Sequence, residues 1–321
     1  MCLWHKTESG KNFIEMVLAM KGTNAPRKPH IVTFLGPEEA KTLKAKMAED
    51  VFAFSDAPSA IFAAKSFNVN VAYYQSGKLL VQGREIDMFL DRYLKTFVGA
   101  KYREPVIGTD ESGKGDYFGP LVTAAVLCDW KSAEKFVELS VQDSKNLSDN
   151  SVMVIAAKVR AAAPHAVVTI NPPRYNELYQ KLRNVNRILA WAHARAIENL
   201  LQKSEASVVI TDQFGREALV RNALLEKGRK VKLVQRPRGE EELPVAAASI
   251  IARAMFLIGL KKLSRQFGME LPKGASAQVE ETARQLVKKH NRAALSQVAK
   301  LHFRTTARVI RGVEQSSGTE A

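Results

Sequence analysis

The stretch Ile107–Pro120, IGTDESGKGDYFGP, decides how the rest of the chain is interpreted. It places two adjacent carboxylates, Asp110 and Glu111, shortly before the glycine-rich segment 113–115. Apolar runs flank it on both sides, PVI before and LVTAAVL after. This pattern predicts a strand that carries the acids, a glycine-rich turn, and a second strand that pairs with the first.

The spacing of Gly108, Gly113 and Lys114 also fits a phosphate-binding loop, Gly-x-x-x-x-Gly-Lys. Such a loop needs Ser or Thr after the lysine to ligate Mg²⁺, and this chain has Gly115 there. The residues that follow predict a strand rather than the helix whose N-terminus binds phosphate. A solvated acidic turn is the plainer alternative, but an unpaired carboxylate next to an apolar strand is costly to desolvate. Adjacent acids at a strand end therefore favour a metal site.

The string Asp-Glu-x-Gly-x-Gly, with Gly-Pro shortly after it, resembles the first active-site segment of the type 2 ribonucleases H. Its ending, Asp-Tyr-Phe-Gly-Pro at 116–120, is similar to the ribonuclease HIII branch of that family. The resemblance implies an α/β ribonuclease H-like fold, a mixed sheet flanked by helices. It also implies an endonuclease that hydrolyses the RNA strand of RNA–DNA hybrids with two divalent ions, Mg²⁺ or Mn²⁺, and leaves 5′-phosphate and 3′-hydroxyl ends.

The charge balance predicts a polyanionic partner. The 321 residues are enough for two domains and carry 48 basic and 33 acidic side chains, a net charge of +15. Residues 1–100 hold 13 of the basic and 10 of the acidic side chains, so most of the excess lies in the C-terminal part. A basic protein of this size favours nucleic acid, although charge that only maintains solubility is the alternative.

The remaining composition predicts a cytoplasmic protein, which we expect to be a monomer. Cys2 and Cys128 supply neither a disulfide framework nor a zinc site and suit a reducing compartment. The short apolar run near the start contains Glu15 and does not have the pattern of a signal peptide. Arg253 interrupts the longest apolar stretch, Leu243–Leu260, so we expect no membrane span.

Residues 1–98 predict a small α+β domain, followed by a linker at 99–105. Its predicted elements are a helix over Glu38–Met47, strands over Ser66–Ala72 and Lys78–Gln82 around a Ser-Gly turn, and a helix over Arg84–Phe97. Physical pattern alone leaves this domain without a function. The segment Phe67–Gly83 is similar to the N-terminal domain of ribonuclease HIII, which resembles the TATA-binding protein fold and helps to hold substrate. A domain that only packs against the catalytic one is the alternative.

Residues 106–313 predict the catalytic domain, and 314–321 a disordered tail. Alternating strand and helix patterns suit a mixed sheet with helices on its faces. The predicted strands are Val106–Asp110, Leu121–Cys128, Ala166–Ile170, Ser207–Thr211 and Lys230–Val234. The predicted helices are Asn150–Ala162, Tyr175–Gln202, Arg216–Glu226 and Leu243–Phe267.

Two further acids are candidates for the same site. Asp212 ends an apolar strand, where an Asp is usually a turn former or a helix N-cap, but it matches the third acid of the family. The fourth acid comes from the run Glu240, Glu241 and Glu242, of which we choose Glu240 because it follows Arg-Gly. The other two glutamates would favour the N-terminus of the next helix. By the resemblance, Asp110, Glu111 and Asp212 bind metal, and Glu240 completes the catalytic set.

Substrate contacts are predicted from three other segments. In the family, the turn of Gly113, Lys114 and Gly115 contacts the 2′-hydroxyls that distinguish RNA from DNA, and glycines let the backbone approach closely. In the Asp-Ser-Lys-x-Leu-Ser motif, Ser144 can hydrogen-bond and Lys145 suits a phosphate oxygen, unless it is merely solvated. Ser249, on an alanine-rich helix face, either lies close to a ligand or only permits tight packing.

The remaining matches separate the possible activities. His193, within the segment that matches ribonuclease HIII, is expected to be structural rather than a base. Ribonuclease HII usually has a Tyr that reads the RNA–DNA junction where this chain has Ala275, which argues against cutting at a single embedded ribonucleotide. A non-catalytic hybrid-binding protein is the alternative from another class, but a binder has no need of clustered acids.

Overall fold

A computed structural model describes residues 30–66, 68–141 and 144–317. Residues 1–29 of the predicted N-terminal domain lie outside the described residues, as do Phe67, Gln142, Asp143 and the last four residues of the predicted tail.

The N-terminal unit is an antiparallel sheet of five strands in the order β1-β5-β4-β3-β2, with helices on one face. Alternate residues, such as Phe62 and Ala64, are buried under the helices, whereas Lys65 is exposed on the open face. Its elements are β1 His30–Phe34, α1 Pro37–Ala48, β2 Ala53–Ser55, β3 Ala60–Ser66, β4 Val69–Tyr74, β5 Lys78–Gly83, α2 Ile86–Phe89 and α3 Lys95–Lys101, with a π-helical turn over Leu90–Leu94.

Two predictions for this unit were wrong in detail. The strand predicted over Ser66–Ala72 is two strands, because the chain turns at Asn68, whose carbonyl accepts from Arg84 N (2.8 Å). The predicted linker is helical up to Lys101, since α3 packs against the second unit. A side-chain carbon at Gly99 would lie only 3.7 Å from the Trp130 carbonyl, so the two helices approach closely.

The C-terminal unit is built on a mixed sheet in the order β10-β9-β6-β7-β8. β6 is parallel to β9, and β9 to β10, whereas β7 is antiparallel to both β6 and β8. Its elements are β6 Val106–Ser112, β7 Leu121–Cys128, α4 Trp130–Glu138, α5 Asp149–Ala162, β8 His165–Ile170, α6 Pro172–Leu182, α7 Val185–Leu201, β9 Val208–Asp212, α8 Glu217–Ala223, β10 Lys232–Arg236, α9 Leu243–Phe267, α10 Ala277–His290, α11 Leu295–Val298 and α12 Arg304–Ser317.

The predicted strands of this unit all form, but the helix predicted over Tyr175–Gln202 is two helices. Arg183 adopts a left-handed conformation (φ 51°), and the Asn184 side chain then accepts from Asn186 N (2.8 Å) to cap α7. The sequence pattern did not indicate α4 or α10–α12. The last helix continues to Ser317, so the first four residues of the predicted disordered tail, 314–317, are helical.

The sheet is covered on both faces. One core contains alternate residues of β7 with α9 and α5, and the other contains Ile107 with α7 and α8. Gly108 lets α9 approach the sheet, because a side-chain carbon there would lie 2.1 Å from the Pro244 carbonyl carbon. Of the described helices, only α9 has the length and composition of a membrane span, but 67% of its most apolar window is buried inside the fold.

Candidate active site

Three acid-bearing segments meet at one edge of the mixed sheet. Thr109 on β6 is paired with Thr211 on the parallel strand β9, so Asp110 and Asp212 follow at neighbouring strand ends. Asp212 is in turn paired with Arg236 at the end of β10, and the short 3₁₀ turn Gly239–Glu241 begins three residues later. Because carboxyl ends of parallel strands lie on the same edge, the fold gathers these acids.

These residues line a cleft of about 470 Å³. It contains the four candidate acids and the other predicted substrate residues except Ser249. The lining residues are Asp110, Glu111, Ser112, Gly113, Lys114, Gly115, Ser144, Lys145, Asp212, Glu240, Arg253 and Lys273.

Asp110 lies next to two other carboxylates. Its Oδ1 accepts from Glu111 N (2.8 Å), which fixes the carboxylate at the end of β6. Burial, and then the negative charges of Glu111 and Asp212, raise the pKa of Asp110 well above its usual range. A cation in the cleft would relieve this repulsion.

Glu111 has the opposite environment. Its Oε2 accepts from His193 Nε2 (3.1 Å), and its Oε1 lies 3.7 Å from Lys114 Nζ. Burial acts to raise the pKa of Glu111, but the contacts with His193 and Lys114 outweigh it and hold the pKa below its usual value. The adjacent carboxyls therefore differ in proton affinity, and Glu111 stays ionised.

Asp212 is positioned by the turn that carries the fourth acid. Its Oδ1 accepts from Gly239 N (2.9 Å), and a side-chain carbon at Gly239 would lie 2.8 Å from the Asp212 Cα. The glycine before the glutamate run is thus explained, because a side chain at this position would clash with the backbone of Asp212.

Of the three consecutive glutamates, only Glu240 lines the cleft, where its Oε1 lies 3.7 Å from Lys145 Nζ. Glu241 pairs with Arg238 at 2.9 Å. Glu242 is 7% exposed and is held by Lys101 (3.0 Å) and by Arg236. The geometry favours Glu240 as the acid that acts in the cleft.

The donor set fits a hard divalent ion. Among the described residues, no three Asp, Glu, His or Cys side chains surround a single point as metal ligands, so the acids share the cleft without forming a closed cage. All four are carboxylates, which bind Mg²⁺ and Mn²⁺ in preference to softer metals. Burial and the neighbouring acids raise the pKa of Asp110, so a bound cation would stabilise its ionised form.

The two glycines of the turn have different surroundings. Gly113 has φ +90°, and a side-chain carbon there would lie 2.2 Å from the Pro120 carbonyl oxygen, so the turn itself requires glycine. A side-chain carbon at Gly115 would meet nothing within 4 Å. The absence of a side chain at Gly115 therefore leaves the backbone open to a ligand.

A buried lysine holds the rest of this turn. Lys300 is completely buried, and its Nζ donates to the backbone carbonyls of Asp116 (2.7 Å), Gly119 (2.8 Å) and Phe118 (3.4 Å). Burial lowers the pKa of Lys300 to about 7, with the charge of Asp116 opposing the change. The sequence match at 300–303 indicated no role for this residue.

Ser249 supports the cleft without lining it. Its Oγ donates to Ala246 O (3.0 Å) and accepts from Ser144 N (3.4 Å), so Ser249 packs against a residue that lines the cleft, and its contact with a ligand stays a prediction. Arg253 donates to the Ser144 carbonyl and to Asp149 Oδ1 (2.6 Å). Sequence reasoning used Arg253 only against a membrane span, although a charge within an apolar helix is itself a signal of a buried partner.

Fold and site together define a nuclease of the ribonuclease H class, and the comparisons with known proteins identify the branch. A family model described as Ribonuclease HII matches residues 107–306, and one described as Domain of unknown function (DUF3378) matches residues 30–102. The ribonuclease HIII of Chlamydia pneumoniae is 38% identical over 295 residues, 88% of this chain and 99% of the relative. That of Chlamydia abortus is 39% identical over 285 residues, 85% of this chain and 95% of the relative.

The solved structures agree. The crystal structure of Bst-RNase HIII in complex with Mn²⁺ matches with a TM-score of 0.66 and 30% identity, and covers 89% of this chain and 99% of that chain. The chain belongs to the ribonuclease HIII family and is an endonuclease of the ribonuclease H type.

Proposed function

We propose that this endonuclease hydrolyses the RNA strand of RNA–DNA hybrids in the cleft, with divalent ions as cofactors and with 5′-phosphate and 3′-hydroxyl products. The convergence of four carboxylates from three segments at one sheet edge carries the proposal. Carboxylates in a shared cleft repel each other, and a bound cation is the compensation that such sites use. The Mn²⁺ complex of a related ribonuclease HIII supports the same cofactor class here.

The role of each acid in holding the ions would follow from its environment. Divalent ions held by Asp110, Glu111, Asp212 and Glu240 would activate the attacking water and offset charge on the phosphate and the leaving oxygen. Glu111 is ionised and available as a ligand, because its pKa is held low. A bound cation would oppose the effect of burial and neighbouring acids on the pKa of Asp110, and Asp212 is already oriented by Gly239 N.

The walls of the cleft suit a ribonucleotide strand. Lys145 and Lys273 bring positive charge to the rim, where phosphate contacts position a backbone without reading its sequence. The open backbone at Gly115 can approach a sugar edge, where a 2′-hydroxyl both donates and accepts hydrogen bonds.

We propose that the N-terminal sheet helps to hold the duplex and that the chain acts as a cytoplasmic monomer. A cavity of about 430 Å³ lies between the two units, lined by Val32 and Lys78 of the sheet and by Glu240 and Glu241 of the other unit. Glu240 also lines the cleft, so the β1 edge of the sheet lies near the candidate active site.

The substrate class is tested with three labelled duplexes in Mg²⁺ or Mn²⁺. They are an RNA strand on DNA, a DNA strand with one embedded ribonucleotide, and double-stranded RNA. We expect cutting of the first alone. Efficient cutting of the second would assign the protein to repair of single ribonucleotides, against the expectation from Ala275. Binding of all three without cutting would leave a hybrid-binding protein.

A further inference from the structure

His193 is a buried polar residue on an apolar helix face, and both of its ring nitrogens have partners on β6. The side chain is 0% exposed. Nδ1 lies 2.9 Å from Thr109 Oγ1, and Nε2 lies 3.1 Å from Glu111 Oε2. Apart from the exposed Arg195, the neighbours of His193 in the run LAWAHARAI of α7 are small or apolar residues. A core histidine needs its polar atoms paired, but it does not need the carboxylate of the active site as partner.

The chemistry of the partners fixes the direction of these hydrogen bonds. An ionised carboxylate only accepts, so Nε2 must carry the hydrogen that Glu111 receives. In the neutral ring, Nδ1 is then the acceptor, and the Thr109 hydroxyl is its donor. The Glu111 carboxylate therefore selects the ring tautomer, and the Thr109 hydroxyl, which can donate, pairs the buried Nδ1 in that tautomer.

The contact leaves one oxygen of Glu111 for the cleft. Oε2 is occupied by His193, whereas Oε1 lies on the side of Lys114, a cleft residue. The ring also stacks on Phe214, with centroids 4.7 Å apart and planes at 26°, and Phe214 is two residues beyond Asp212. One side chain of α7 thus contacts both strand ends that carry the acids.

We propose that His193 is a positioning residue that orients the Glu111 carboxylate towards a divalent ion in the cleft, with Thr109 pairing the buried Nδ1 of the ring. The inference rests on the proposed function, because it takes Glu111 as a metal ligand. Groups that hydrogen-bond a metal ligand typically contribute about 10- to 100-fold to metal affinity. A histidine that only fills the core would contribute to stability and not to metal affinity.

The test measures Mn²⁺ binding directly, from the electron paramagnetic resonance signal of free Mn²⁺ titrated against the full chain. His193→Leu fills the space without a donor, His193→Gln keeps an N–H that can reach Glu111, and Thr109→Val keeps the shape but removes the hydroxyl. Thermal melting of each variant separates loss of fold from loss of binding. Asp110→Asn serves as the control for the metal site itself.

We expect His193→Leu to weaken Mn²⁺ binding by about 10- to 100-fold, with His193→Gln closer to wild type and Thr109→Val weakened. If His193→Leu does not fold, the Mn²⁺ affinities of Thr109→Val and His193→Gln still test the proposal. Folded variants without the donor that bind Mn²⁺ as wild type does would overturn this inference alone. Wild type that binds no Mn²⁺, or binds it equally with Asp110→Asn, would overturn the proposed function as well.

Discussion

At the scale of single residues, the site is a set of carboxylates that differ in their burial, charge neighbours and hydrogen-bond partners. Asp110 and Glu111 are adjacent in sequence, yet burial and neighbouring acids raise the pKa of one while His193 and Lys114 lower that of the other. Asp212 is oriented by a backbone donor. Glu111, Asp212 and Glu240 are thus each held by a partner from another segment of the chain, whereas Asp110 is held by the adjacent backbone N–H of Glu111.

Glu240 and Glu241 provide a matched pair of variants. Glu240→Gln should lower the rate of hybrid cleavage by more than about 100-fold, the scale of a group that acts in the reaction. Glu241→Gln should leave the rate near wild type, because its carboxylate is paired with Arg238 away from the cleft. The measurement is kcat on a labelled hybrid. Equal losses of kcat in both variants would show that cleavage depends on the structure of the turn rather than on the Glu240 carboxylate.

Much of the site could be predicted at this scale, because the positions of two of its acids follow from the local strand pattern. Asp110 and Asp212 follow apolar strands, so their position at a sheet edge could be inferred from pattern alone. The roles of His193, Arg253 and Ser249 could not, because each depends on which face of a helix meets which strand. That rotation is set by packing over the whole sheet, so the sequence left open whether Ser249 contacts a ligand or only packs, and the fold places it against Ser144.

At the scale of elements, the glycine-rich turn is held by a segment almost 200 residues away in sequence. Lys300 donates to three of its carbonyls, and the Asp116 side chain accepts from Gly274 N (2.6 Å). These long-range contacts define the turn where β6–β7 pairing ends.

Element boundaries were predicted well where the pattern was strong, as in β7, and poorly where one capping residue decides, as at Asn184 between α6 and α7.

The buried amine gives a pH prediction. Lys300 has a pKa of about 7 in the folded protein against an ordinary value of 10.5, so between these values the unfolded chain binds more protons. The free energy of unfolding of the wild type should therefore rise relative to Lys300→Met as the pH is raised from 6 to 9. Denaturant unfolding at several pH values measures this difference. A difference that falls with pH would contradict the assigned direction.

At the scale of the whole molecule, two units are joined through helix packing rather than through a free linker. Lys95 on α3 bonds Glu138 on α4 at 2.6 Å, and both units contribute residues to one continuous core. The β1 edge of the N-terminal sheet borders the cavity that Glu240 also lines. A duplex that enters the cleft can therefore contact both units, and the net charge of +15 supplies the attraction.

The open face and the helical face of the N-terminal sheet should differ in their contribution to binding. Lys65 is exposed on the open face, and Lys41 is exposed on α1, which covers the opposite face. Lys65→Gln should weaken hybrid affinity and lower the salt slope by about 1, whereas Lys41→Gln should change neither. Affinity measured over a range of salt concentrations tests this. Equal effects of the two substitutions would remove the sheet face from the binding surface.

We propose that the acids at the ends of β6 and β9 cut the RNA strand of a hybrid with the help of divalent ions. The most direct measurement compares wild type, Asp110→Asn and Asp212→Asn on one labelled hybrid, with Mg²⁺ or Mn²⁺ and with the metal chelated, and identifies the product ends. We expect 5′-phosphate and 3′-hydroxyl fragments from the wild type with metal only, and none from either variant. Cleavage that persists in the folded variants or without metal would contradict the account.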